Sequence, residues 1–389
     1  MALLHRKQVV AVKVEGAEGT AEEPGNADAG FNTFETSFSP EVEQYERNPF
    51  RSSLGRLASI AGVKTGTVGF MTELVGSGDH APVGGTPAGD QLPFHTLMLA
   101  CGYEQVALDT VTVTATTGVQ FVAGETIAAF GSETAICGMS SRVGDTTIYV
   151  ESTGNGLTET STALTGSISN NSQGDASAVD GDVAVMYKPL STEGSSYTVG
   201  VFNDGIRHRI QGARGNVSFA GSTGQPVKMS FEFTGPFKDS DDITLLTPTY
   251  PSLVPPAMLN ANLSAHTDLL IVDSFEIATG NELSVRRSAN DPAGAISTKI
   301  TQRSMSGSID PEVETIANHN FILKMTNNEE GLLDLTIGST TGNRFRLQGP
   351  NCSYAGVSGG ERGGISTYSM DLSLNETSLG DNDFRLLCF

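Results

Sequence analysis

The chain has 389 residues, 38% hydrophobic and 17% charged, a balance that excludes a disordered tail and predicts two or three domains. No apolar run approaches the ~20 residues that a membrane-spanning helix needs. Acidic residues outnumber basic ones for a net charge of −21, and no Lys/Arg cluster of the kind that grips phosphates occurs. Such a charge fits two roles, keeping monomers apart in solution or letting DNA slide past without sticking, and the total does not choose between them.

Taken in chain order, residues 9–12 are too short for a signal-peptide core and read as a first strand, which implies use or assembly in a cytoplasm. Residues 32–38 alternate as a strand that Ser39-Pro40 should break, and Val68, Phe70 and Thr72 fall on one face of another. Between them, residues 48–61 carry Pro49, Arg51 and Arg56 and read as a long exposed loop of the kind used in assembly. A Gly/Pro-rich connection follows over 76–89. Residues 93–102 then read as one short helix, with Pro93 in the first turn and Gly102 past the end.

Residues 115–190 are rich in Thr, Ser, Gly and Ala, with a short strand at 146–150 and turns at Gly131, Gly144, Gly154-Asn155-Gly156 and Asn170-Asn171. They read as a small β-rich domain inserted at the surface, with a partly flexible loop as the alternative. After it, Asp204-Gly205 between two alternating runs signals a hairpin. Residues 247–256 form a Pro-rich linker. Further on, Asp310-Pro311-Glu312 followed by Val313, Ile316, Ala317 and Phe321 reads as a capped second helix.

The chain also repeats itself. Arg207-His208-Arg209-Ile210-Gln211-Gly212 and Val217-Ser218-Phe219-Ala220-Gly221 recur as Arg344-Phe345-Arg346-Leu347-Gln348-Gly349 and Cys352-Ser353-Tyr354-Ala355-Gly356. A strand follows each copy, with Met229, Phe231 and Phe233 in the first and Met370, Leu372 and Leu374 in the second. In both, the order is strands, helix, hairpin, closing strand. Arg207 with Arg209, and Arg344 with Arg346, share a strand face. They read either as a solvated face or, because they recur, as a ring of charge or intersubunit salt links.

No catalytic, cofactor or metal site emerges. Gly62-Val63-Lys64-Thr65 lacks phosphate-loop spacing, and no Gly-x-Ser-x-Gly elbow opens a helix. His5, His80, His95, His208, His266 and His319 are scattered, and Cys101, Cys137, Cys352 and Cys388 form no Cys-x-x-Cys pair and read as buried thiols. Asp239-Ser240-Asp241-Asp242 lacks the glycine and closing glutamate of a calcium loop and reads as a solvated acidic turn. The glycines of 359–364 read as a hairpin tip.

With these residues in view, the chain resembles the tail tube proteins (major tail proteins) of long-tailed bacteriophages. The resemblance rests on residues 8–20, 39–49, 67–78, 97–103 and 204–235 in that order, and leaves the inserted segment outside. It implies a mainly β chain of two tail-tube-type β-sandwich domains, 1–246 and 257–389, each flanked by a short helix. It further implies a non-enzymatic virion protein, assembled in the host cytoplasm, that stacks as rings into a hollow tube. The implied partners are the chain itself, tape-measure and tail terminator or tip proteins, and viral DNA in the lumen, with no membrane and no cofactor. Since family rings are usually hexamers of one-domain subunits, a duplicated domain implies a homotrimer with pseudo-sixfold symmetry. An acidic or neutral lumen is expected, because basic rings would stall ejection. The competing readings are a virion-surface or adhesin-like protein that binds a host receptor through its Thr/Ser-rich insert, a hydrolase on a β scaffold, and a sheath or baseplate protein of related fold.

Overall fold

Alternation of apolar and small polar residues makes most of this chain strand, and among the described residues only two six-residue α-helices and one short 3-10 helix, Asn26–Ala29, interrupt it. The computed structural model describes residues 4–78, 92–113, 121–130, 133–142, 145–152, 157, 164–169, 172–173, 176–192 and 194–389. His80, most of the 76–89 connection and the turns expected at Gly131, Gly144, Gly154-Asn155-Gly156 and Asn170-Asn171 lie outside the described residues.

The first half begins with β1 (Gln8–Val14), β2 (Phe34–Tyr45), β3 (Ile60–Glu73) and α1 (His95–Ala100). Next come β4 (Tyr103–Val113), β5 (Thr126–Phe130), β6 (Glu133–Cys137), β7 (Thr147–Ser152), β8 (Leu164–Gly166), β9 (Ser172–Gln173) and β10 (Ala176–Pro189). It closes with β11 (Tyr197–Asn203), β12 (Ile206–Ser222) and β13 (Lys228–Asp242). The second half comprises β14 (Asn262–Ala265), β15 (Asp268–Leu269), β16 (Val272–Ala278), β17 (Asn281–Arg287), β18 (Ala295–Arg303) and β19 (Ser306–Pro311). Then follow α2 (Phe321–Thr326), β20 (Gly331–Ile337), β21 (Phe345–Arg362), β22 (Ile365–Asn375) and β23 (Arg385–Cys388).

One order of antiparallel pairings runs twice. The first half pairs β1-β11-β12-β13-β3-β2. The second half pairs β14-β20-β21-β22-β19-β16. The closing strands differ in register: Val217 faces Phe231, whereas Cys352 faces Leu374. Against the sequence match this is a slip of two residues, which leaves every side chain on its original face.

The expected hairpins form at Asp204-Gly205 and at Gly363-Gly364, where φ values of +60° and +87° suit a two-glycine turn. Helix α1 lies where the sequence put it, with Gly102 past its C-cap at φ +83°. The second helix does not. Asp310-Pro311 ends β19, and Val313 and Ile316 are exposed in a stretch without regular structure. The helix starts at Phe321, capped by Asn320, whose Oδ1 accepts from Leu323 N at 3.0 Å. Pro40 does not break β2 either. It pairs opposite Gly66, tolerated because among the described residues β2 has a neighbour on one side only and its missing N–H costs the ladder nothing on the open side.

A continuous apolar core runs through both halves, from Val10, Val68, Phe70 and Phe219 to Ile309, Tyr354, Leu372 and Phe384. A separate cluster, built from Val111, Phe121, Ile127, Cys137, Ile148 and Leu164, underlies β5–β8 and the outer end of β4. That segment is seated on the second half by buried polar contacts. Gln348 donates to Ser140 O (2.8 Å) and accepts from Ser140 N (2.9 Å), Arg142 pairs with Asp334, and Arg385 donates to Gly138 O (2.6 Å). Residues 247–256 carry no helix or strand. All four cysteines are free and buried, as expected.

Candidate functional site

Three of the paired arginines, Arg207, Arg209 and Arg346, are buried in ion pairs within the chain and neither solvated nor free to reach another subunit. Arg207 and Arg209 are 2% and 6% exposed. Arg207 meets Asp241 through Nε (3.0 Å) and Nη2 (2.6 Å), Arg209 meets Asp239 likewise (2.8 and 2.6 Å), and Glu23 bridges the two. The 239–242 stretch is thus no solvated turn. It is the end of β13, with alternate aspartates placed opposite alternate arginines. Hydrogen bonds from Arg207 hold the Asp241 carboxyl below its ordinary range. Burial raises the Glu23 carboxyl, but both arginines outweigh it and the net shift is downward. In the second copy Arg346 meets Asp334, while Arg344 lies over the Phe389 ring at 4.0 Å. These side chains hold each half together.

What the structure leaves unfinished is a sheet. Eight strands pair in the order β2-β3-β13-β12-β16-β19-β22-β21, four from each half. The seam between halves is the repeated peptide itself: Ser218, Phe219, Ala220 and Gly221 face Ala278, Ile277, Glu276 and Phe275 of β16. The matching peptide, Ser353 to Gly356 on β21, pairs with β22 on one side and, among the described residues, with nothing on the other. At the far end β2 pairs, among the described residues, with β3 alone. One sheet therefore ends in two open edges, and an open edge is a row of unpaired backbone donors and acceptors.

The two faces of this sheet differ sharply. One contributes Phe70, Phe219, Phe231, Ile277, Ile309 and Leu372 to the core. On the other, Glu35, Ser37, Thr67, Ser218, Ser230 and Glu232 line a shared groove. Alternation adds Glu73, Glu276 and Asp371 to that uncovered face, against the cations Lys228, which stands opposite Glu73, and Arg362, which is paired with Asp310 and Glu312, so the face is acidic.

Two arms stand out from the sheet. The ladder of β16 and β19 continues through Ser304 N to Gly280 O (3.1 Å) into the β17–β18 hairpin, which folds back over the first half. There Asn281 Nδ2 donates to Cys101 O (2.8 Å) and Gly215 O (2.9 Å), Lys299 pairs with Glu18 (2.6 Å), and Arg287 pairs with Glu43. Gly212, at φ +56°, lets the backbone at Ile296 and Ser297 approach where a Cβ would clash at 2.6 Å. In the first half the same position between pairing strands is filled by the outer β2–β3 hairpin and residues 46–59. That arm carries fully exposed Phe50 and Leu54 and exposed Val42, Tyr45 and Ile60. The sequence had marked the loop but had given no reading of 281–303.

Among the described residues no His/Cys/Asp/Glu group could hold a metal, and no helix is long and apolar enough to cross a membrane. A family model described as phage tail tube protein matches residues 6–375, almost the whole chain. The chain belongs to the phage tail tube protein family. It is accordingly a structural protein of the virion tail, and the resemblance seen in the sequence holds over both halves and the segment between them. Comparison with curated proteins returns no match.

Proposed function

We propose that this tail tube protein closes its sheet through a neighbour: β2 of one chain adds to the open Ser353-to-Gly356 edge of β21 in the next, repeating between chains the β12–β16 seam within the chain. The single observation that carries this reading is that seam, paired in the first copy of the peptide and, among the described residues, unpaired in the second. Each main-chain hydrogen bond so formed nets ~1 kcal/mol, and closure removes both edges. The contact is head-to-tail, with a different surface on each partner, so it generates a ring where the rotation closes.

The halves are two copies of one tube domain, and the segment between α1 and β11 is an insertion in the first. Three chains then supply the six domains of a hexamer-like ring, and rings stack into the tube. The uncovered acidic face lines the bore, where repulsion lets DNA pass without being held. Tape-measure and terminator or tip proteins would meet the lumen and the tube ends. Imaging purified protein at high concentration tests the reading. Rings or tubes of uniform bore are expected, and a monodisperse monomer at every concentration would overturn it.

A further inference from the structure

We infer that the arm of the first half, from Val42 to Ala61, docks across α2 of a second copy of this chain. The inference rests on the ring reading above and adds the surface that receives the arm. Within the chain, the equivalent arm β17–β18 lies beside the C-terminal end of α1, where Asn281 holds the Cys101 carbonyl and Ile300 packs at Gly102. Nothing among the described residues covers the corresponding end of α2. Along the helix to its N-terminal side, Ile322 and Leu323 of the first turn and Ile316 before it are exposed, around a groove that also takes in Glu314, Phe321 and Tyr368.

The two surfaces match in chemistry. Residues 46–59 carry Arg47, Arg51 and Arg56 against the single acid Glu46, which Arg56 already pairs with. This is a basic, apolar tip on a chain of net charge −21. The α2 surface is apolar, with Glu314 in the groove and Asp268 at its edge beside His319, and the helix's own cation, Lys324, is already paired with Glu329. Phe50 and Leu54 would be covered by Ile322 and Leu323, and Arg47 and Arg51 would face those carboxylates. Burying two large apolar side chains against such a groove stabilises the contact, and the charges set its orientation.

Chains bearing Leu54→Cys alone and Leu323→Cys alone, mixed under assembly conditions and treated with a short bismaleimide, test this. The four native thiols are buried and do not compete. A covalent dimer is expected in the mixture and in neither single variant. Rings without that dimer would overturn the arm assignment and leave the ring reading standing, whereas absence of rings from the unmodified chain would overturn the ring reading itself. As a second readout, Arg51→Glu should cut assembly several-fold and Glu314→Arg in the same chain should restore it; no effect of Arg51→Glu counts against the proposal.

Discussion

The Arg344 guanidinium lies over the Phe389 ring, 4.0 Å from its centroid, at the place where the first half sets Asp241 across from Arg207. One strand pattern has thus been satisfied by an ion pair in one copy and an aromatic face in the other. Phe389 also meets Tyr149 edge-on, so it ties β7 to the second half as well. Phe389→Ala should destabilise the fold by about 2 kcal/mol, from lost apolar area plus the cation–π contact. Chemical denaturation checks this, and a change below a few tenths would contradict it.

The repeated arginines should differ in weight. Asp334 is fully buried and accepts from Arg346 (2.6 Å), Gln348 (2.5 Å) and Arg142, so Arg346→Ala removes one of the two cations that hold a buried carboxylate and should cost about 2–3 kcal/mol. Arg209 faces partners that water reaches, Glu23 above all, and Arg209→Ala should cost about 1 kcal/mol. Denaturant midpoints of the two variants give the comparison, and equal losses would contradict the difference in burial.

Stability should fall in mild acid through His266. Burial pushes this imidazole down to about 4, with Lys324 and His319 adding to the effect, and its ring lies tilted against Tyr354 with 4.7 Å between centroids. The unfolded chain, with an ordinary histidine near 6.5, binds a proton at higher pH than the folded one. The contribution is therefore complete above about 6.5 and is lost as pH falls towards 4. His266→Gln should flatten that part of a stability-versus-pH curve, and an unchanged slope between pH 6.5 and 4.5 would contradict the assignment.

The acidic face gives a test in the assembled tube. Ser218→Lys with Ser230→Lys places cations where hydroxyls now sit, without touching the core face. Tubes should still form, and they should retain DNA at low salt and release it as salt rises. Indifference of the double variant to DNA would mean that this face does not line the bore.

Much of the fold was legible because it rests on local signals. Turn glycines at 205 and 363–364, the Gly102 stop and the alternation in β3 each fix structure within a few residues. The failures came where a signal had two meanings. Asp310-Pro311 can cap a helix or end a strand, and the pairing of Ile309 with Met370, sixty residues on, decides for the strand. Asp239 and Asp241 read as a solvated turn because nothing local reveals that they face Arg209 and Arg207. The repeated peptide was visible at once, but its meaning depended on which strand lies beside it. Ser218 to Gly221 and Ser353 to Gly356 look alike in sequence, and only the register shows one paired with β16 and the other open.

A reconstruction of the assembled tube, with chains counted per ring and strands traced across the subunit boundary, tests the central claim most directly. The account predicts three chains per ring, with β2 of each hydrogen-bonded to the Ser353-to-Gly356 edge of the next and the acidic face turned to the bore. Six chains per ring, or a boundary at which either edge stays open, would contradict it.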